Sequence, residues 1–473
     1  MEFSSVNTLC FHLISSAFQR CRLSEQICRL SVILNSSSSS RHPSVQISIS
    51  DTGIGSCLKE FQDLKFSWGG ITENWDGMLR VNTTSISDTE VYNYQISLKE
   101  NRSSRRINRL PSHQKNGAKF SGTEVLLSFV ESLDILLAGV HSFLQKMLIL
   151  RIPNIAIQLV AEDCDVPGSR YEKVFLANKS MQSPILALNL EHLKSGFEQY
   201  ILTHGNSLNS ECSSCFPSWE HLKVGSGRAC CTENELVMEA VIVISDISKD
   251  DNTCLRESGD KTEVLYFKDF SPSTIPQSSM KAMKSVHWRK YGLNLVGIAQ
   301  QDGCALLEWE NLPKDTHIYI VLHSYHQQYP TVIRTPGKKF QMDRNLVKRS
   351  IKLSLDDLKE KHAGALLSAR ATKICSYAPD LGKTIAGLIL TSNDLEFQGE
   401  CLSLLGLQSQ GVEAEIVENR IKERIVSVIE MNDKKDQKTR EAAPFLFDDN
   451  RLREEEFQEI DEEEDYDMMA LED

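Results

Sequence analysis

The sequence predicts an α/β protein of two layered domains followed by a solvated acidic tail. Three observations carry that prediction. Stretches of strict apolar–polar alternation, such as Ser44-Val45-Gln46-Ile47-Ser48-Ile49-Ser50, sit between stretches with helical spacing of apolar residues, the patterns of strands and helices in turn. The 473 residues are 41% hydrophobic and 25% charged, a globular balance at a length that suits two or three domains. The charge is also segregated: residues 448–473 hold 14 acidic and two basic side chains, which is −12 of the net −13. The body is therefore close to neutral and nothing in its charge keeps it from nucleic acid. The like-charged end repels itself and stays in water.

Taken in order, Val6 to Arg20 reads as a helix with Leu9, Leu13, Ile14, Ala17 and Phe18 on one side. Ile27 to Leu34 is a second apolar segment, running into the polar loop Ser36–Ser40. The alternating strand that follows ends in Asp51-Thr52-Gly53-Ile54-Gly55. Residues 70–117 are polar and punctuated, with Arg102, Arg105, Arg106, Arg109, His113 and Lys115 as a basic segment. Gly122 to Leu127 starts another strand, Ser132 to Leu150 a long helix, and Ile155 to Val160 a further strand. A second α/β unit begins with the apolar run Leu236 to Ile244, continues through strands at Gly292–Ala299 and His317–His323, and has helical stretches between Asn345 and Arg370. Val412, Ile416, Ile421, Ile425 and Val428 are spaced as the apolar stripe of a last helix. The expected organisation is residues 1–165, a reduced middle region 166–235, a second domain 236–411, a projecting helix 412–437 and the tail 438–473.

The longest apolar stretch, Leu126 to Val160, is broken by Glu131, Asp134, Lys146 and Arg151, so neither a membrane span nor a secretory leader is expected. The 13 cysteines are an odd number and read as free thiols. Cys212, Cys215, Cys230 and Cys231 are the one cluster with a zinc alternative, and adjacent cysteines suit a tetrahedral site poorly.

Asp51-Thr52-Gly53-Ile54-Gly55 is the sharpest chemical signal. A carboxylate at a strand end beside two glycines stands where backbone can approach a ligand, although the same pattern also makes a plain turn. The order helix, strand, DTGIG, basic segment and Gly122-Thr123-Glu124-Val125 strand resembles the GHKL (Bergerat) ATPase superfamily. Phe143 to Ile155 and His287-Trp288-Arg289-Lys290-Tyr291-Gly292-Leu293 resemble segments of topoisomerase VI B subunits, the latter in their transducer domain. With the acidic end, the resemblance is to the plant-type meiotic branch of that family and spans roughly residues 6–430.

The resemblance implies a degenerate GHKL ATPase-like domain followed by a transducer-like domain. In it Asp51 and Thr123, with Gly53 and Gly55, match the nucleotide pocket. Departures from the family pattern imply that turnover is lost. His12 stands at the position of the family's general base and Ser16 at that of its Mg²⁺-holding Asn. The spacing of Gly69, Gly70, Gly77 and Gly117 does not make the phosphate loop. No catalytic residue is therefore assigned, no metal ligand is assigned, and ATP with Mg²⁺ is the cofactor left open. The implied role is a nuclear, non-cleaving B-type subunit that holds A-type transesterase subunits together, as a heterotetramer, for meiotic DNA double-strand break formation and homologous recombination. DNA would be reached through the complex and no membrane is involved. Ile416, Ile421, Ile425 and Val428 are the expected partner contacts. The alternative is an active Mg-ATP-dependent type IIB topoisomerase subunit with His12 as a substitute base.

Overall fold

The computed structural model describes residues 2–3, 5–37, 44–62, 64–66, 77–98, 107–163, 169–176, 189–208, 219–231, 235–246, 260–301, 304–310, 312, 316–326, 344–362, 366–407 and 413–433. Arg102, Arg105, Arg106, Cys212, Cys215, Val412 and the acidic tail lie outside them. Residues up to Leu381 form one compact unit and those from Gly382 a second.

The first unit opens with β1 (Glu2–Phe3), α1 (Val6–Arg22), β2 (Cys28–Ser37) and β3 (Ser44–Asp51), followed by α2 (Lys59–Gln62) and β4 (Lys65–Phe66). Then come β5 (Met78–Thr84), β6 (Glu90–Ser97), β7 (Ile107–Gln114) and β8 (Gly122–Phe129). Next are α3 (Leu133–Met147), β9 (Ile155–Asp163), β10 (Arg170–Leu176) and α4 (Asn189–Leu208). Eight of these strands make a sheet in the order β10-β9-β2-β3-β8-β5-β6-β7. The pair β2–β9 is parallel and its other neighbours are antiparallel. On β3 the alternation buries Val45, Ile47, Ile49 and Asp51 on one side, as a half-buried strand requires. That side carries α1 and α3, whose stripes Leu9, Leu13, Ala17 and Leu136, Val140, Leu144 are buried. Leu133–Leu150 is apolar and long enough to cross a membrane by composition, but its apolar stripe joins this core.

The second sheet is built from β11 (Leu222–Cys231), β12 (Leu236–Asp246), β13 (Asp260–Lys268), β14 (Ser271–Pro272), β15 (Asn294–Gln301), β16 (Cys304–Glu310) and β17 (Thr316–His326). Its main order is β11-β12-β17-β13-β16-β15. α5 (Gln277–Lys284) and α6 (Arg344–Lys361) cover one face, packing on Met238, Ala240, Ile242 and Ile244. The other face sends Val237, Val241, Val243, Phe267 and Tyr325 into the same core as the first sheet. Burial on both faces accounts for the near-continuous apolar run of β12. Residues 166–235, read from the sequence as a reduced middle region, contribute β10 to the first sheet and β11 to the second, with α4 between them. Cys230 and Cys231 are successive residues of β11, so their side chains leave on opposite faces.

The chain continues through α7 (Ala369–Cys375), α8 (Ala378–Leu390), α9 (Leu395–Leu404) and α10 (Ala414–Asp433). In the second unit Ala386, Ile389, Leu402, Val417 and Ile421 form a small core, with Ile425 against it. The Asp394 carboxylate caps α9 by accepting from the amides of Glu396 and Phe397.

Candidate functional site

The register of the first sheet brings the sequence-predicted residues together. Asp51 on β3 pairs with Thr123 on β8, and Thr123 pairs with Thr83 on β5. All three are buried. The residue that decides what they can do is one the sequence reading missed. Arg20 leaves the last turn of α1, is only 4% exposed, and donates through Nε and Nη2 to Asp51 Oδ2 at 2.9 and 2.8 Å. Its Nη1 donates to Glu60 of α2. Asp51 Oδ1 accepts from the Gly53 amide at 3.0 Å. Both oxygens of the predicted adenine reader are thus engaged by the protein. Burial alone would lower the Arg20 pKa, but the charges and hydrogen bonds of Asp51 and Glu60 outweigh it and raise it. The guanidinium stays charged. A signal for Arg20 did exist, because it falls on the stripe Leu13, Ala17, Arg20 that faces the sheet.

The other pocket residues are turned inward too. Thr123 Oγ1 lies 2.9 Å from Thr83 Oγ1, and Thr83 Oγ1 accepts from the Ser56 amide at 2.8 Å. A Cβ on Gly53 would stand 2.5 Å from the Arg20 carbonyl carbon, and one on Gly55, at φ +86°, 2.5 Å from the Thr84 carbonyl oxygen. These glycines let protein backbone approach, where a nucleotide pocket would need room for a ligand. Asp51, Gly53, Gly55 and Thr123 are thus each turned toward protein partners. Gly53→Ala is expected to cost about 1–3 kcal/mol through the clash with α1, read as a lower melting temperature with or without ATP.

His12 and Ser16 line a cleft of about 670 Å³ together with Gln19, Lys146 and the β13–β14 hairpin. The His12 ring lies 5.2 Å from that of Phe3, and burial lowers its pKa. The hairpin turn, Asp269 and Phe270, has both residues at positive φ. It meets α1 closely: Gln19 donates to the Asp269 carbonyl, Ser271 bonds Ser15, and the Arg22 guanidinium lies 4.2 Å above the Phe270 ring.

Of the basic segment, Lys115 is buried and donates to the carbonyls of Ser85 and Phe120, both at 2.7 Å. It is a structural lysine. Arg109 and His113 are exposed. Near the second sheet Trp288 is buried, donating Nε1–H to the Met283 carbonyl at 2.7 Å, and the Tyr291 hydroxyl donates to Asp356 at 2.8 Å. The aromatics hold the fold, and Arg289 and Lys290 stand exposed beside them. Among the described residues no group of three or more His, Cys, Asp or Glu could hold a metal.

The expected partner stripe divides. Ile421 is 5% exposed and Ile425 packs against the same core, whereas Ile416 is 48% and Val428 45% exposed. Ile421 and Ile425 are revised to fold residues, because α8 and α9 already cover their face of α10.

A helix-backed sheet carrying the DTGIG strand end is joined through a shared core to a second α/β sheet, and the family models that match the chain give this architecture its class, a topoisomerase VI B-like protein. The family model described as MTOPVIB middle domain matches residues 190–362, and that described as meiotic topoisomerase VIB-like C-terminal domain matches residues 370–434. The chain belongs to the meiotic topoisomerase VIB-like family. No curated protein matches it in sequence. Similar solved structures include the B-subunit of DNA gyrase from Myxococcus xanthus, 11% identical, covering 74% of this chain and 89% of that one at a TM-score of 0.35. Another is the ATPase and transducer domains of DNA topoisomerase II from Balamuthia mandrillaris, 11% identical, covering 75% and 84% at 0.29. At such scores the overlap assigns no residue a role.

Proposed function

We propose that this chain is a non-cleaving B-type subunit that holds A-type transesterase subunits together for meiotic double-strand break formation, in the nucleus and without nucleotide turnover. The observation that carries the reading is the Arg20–Asp51 ion pair. It occupies the carboxylate a nucleotide-driven clamp would need, which leaves scaffolding as the role of a fold of this family. We assign the A-type contact to the second unit, where Leu388, Leu395 and Leu404 are 67%, 80% and 77% exposed and Ile416 and Val428 are exposed too. Apolar side chains this open suit a partner surface.

The test is a pull-down of a co-expressed A-type subunit. Ile416→Glu with Val428→Glu is expected to weaken capture about tenfold or more, as loss of central apolar contacts does, while the melt of the chain stays unchanged. Ile421→Glu is expected to unfold the second unit instead. Undiminished capture by the Ile416, Val428 double variant would move the partner surface off α10. Magnesium-dependent ATP turnover by the purified A–B complex would replace the scaffold reading with the gating one.

A further inference from the structure

A second cavity lies beside the turn Leu148–Leu150. It measures about 450 Å³ and is lined by residues of α3, the turn Leu148–Leu150, β10 and α4. Gln145, Arg151, Lys173, Gln199, Thr203 and His204 supply its polar groups, and none of its lining residues is a carboxylate. The floor is apolar, made by Leu148, Ile149 and Phe175.

One cation here stands without a counter-charge. Lys173 Nζ lies 2.8 Å from His141 Nε2 and 5.2 Å from the Phe175 ring centroid, and among the described residues it has no ion-pair partner. Elsewhere in the same unit Arg20, Lys146, Arg170 and Arg228 each have a carboxylate within 4.0 Å. An ammonium donating to an imidazole requires that imidazole nitrogen to be unprotonated. Burial lowers the His141 pKa, and Lys173 and His204 lower it further. Burial lowers that of His204 as well, with Lys173 acting in the same direction. Arg151 stands at φ +46° and donates Nη1–H to Ser195 Oγ at 3.2 Å. Glu198 is the acid that senses Arg151, together with Lys194, and it does not line the cavity.

We propose that this cleft is an anion site that takes a phosphate group, with Lys173 as its anchoring cation and Arg151 and His204 beside it. Lys173 has N–H donors beyond the one given to His141, and a compact ammonium is suited to a phosphate oxygen. The amides of Gln145 and Gln199 and the Thr203 hydroxyl stand around the same space. An apolar floor strengthens each of these contacts by displacing water. The phosphate has two sources, a nucleic-acid backbone or a small phosphorylated molecule, and the same chemistry receives either.

The experiment uses the full chain with two probes: inorganic phosphate by calorimetry, and a 30-base-pair duplex by anisotropy across a salt series. Lys173→Ala is expected to abolish the phosphate heat. If the source is DNA, it also weakens duplex binding about fivefold and lowers the salt slope by about one. Phosphate binding lost with duplex binding intact assigns the site to a small molecule. Lys173→Arg is expected to retain binding, and Lys352→Ala, an exposed lysine on α6, to change neither probe. Thermal melts of all variants are expected to coincide. Wild-type chain that takes up neither probe overturns the proposal. So does Lys173→Ala binding both probes as wild type does, or Lys173→Arg failing as completely as Lys173→Ala.

Discussion

Arg20→Ala is expected to destabilise the first unit by about 3–5 kcal/mol, because it strands the Asp51 carboxylate in a buried site. The pair is costly to assemble and costlier to break. Burial is the larger influence on Asp51 and pushes its pKa up, against the pull of Arg20 and the Gly53 amide. Removing the guanidinium removes that pull, so the carboxyl in the variant stands higher still. A group raised in the folded state stabilises it below the unfolded pKa and loses that contribution as pH rises through the folded one. The deficit against wild type is therefore expected to be small in acid and to grow toward neutral pH. Thermal melts at pH 5 and pH 8 measure it. The paired change Arg20→Met with Asp51→Leu is expected to recover most of the loss, since an apolar pair avoids both desolvation costs. A variant that melts like wild type at both pH values would show that Asp51 does not depend on Arg20. High-affinity ATP binding by the wild-type chain in calorimetry would show that the pair yields to nucleotide.

The strands that frame this pocket were legible because one face of each is fully buried. Val45, Ile47 and Ile49 alternate with serine and glutamine in β3, and in β8 the buried Val125, Leu127 and Phe129 alternate with the half-buried Glu124, Leu126 and Ser128. Between them, β5, β6 and β7 went unseen in what reads as a polar stretch. β6 is half-buried along almost its whole length and β7 is mostly exposed, so neither strand needs an apolar face. β11 was hidden for a different reason. A Cβ on Gly225 would stand 2.1 Å from the Ser354 carbonyl oxygen, and one on Gly227 2.6 Å from that of Ser350. The glycines are there for the close crossing of α6, yet in a sequence they weaken the strand signal.

The site was legible by position, but the partners its side chains take were not. Asp51, Gly53 and Thr123 do meet at one end of the sheet, as the motif order implies. Their partners are a guanidinium, a helix backbone and a threonine, and a motif gives no information on what already fills its pocket. The stripe of α10 shows the same limit. Helical spacing finds Ile416, Ile421, Ile425 and Val428 equally, while only the packing of α8 and α9 separates the buried pair from the exposed one.

A second large effect is expected at Glu239, the carboxylate in the middle of β12. It is fully buried and accepts from Arg228 Nε at 2.8 Å, from the Tyr325 hydroxyl at 2.9 Å and from His323 Nδ1 at 3.3 Å. Burial works to raise its pKa, but the His323 hydrogen bond and the charges of His323 and Arg228 prevail and hold it below the usual carboxylate range. A depressed folded pKa contributes stability above the unfolded value and loses it as pH falls through the folded one. Glu239→Ala is expected to cost about 3–5 kcal/mol at pH 7 by leaving Arg228 and Tyr325 without their acceptor. The isosteric Glu239→Gln is expected to cost about 1–3 kcal/mol, since an amide oxygen still accepts. Against wild type, both deficits are expected to shrink when melts are repeated in acid. A deficit that stays constant from pH 7 to pH 4 would locate the effect in lost packing and take the ionic network out of the account. The position gives the network its consequence. His323 and Tyr325 pack on Phe270, the ring at the turn that meets Arg22 of α1, so a loosened Glu239 is transmitted to the contact between the two sheets.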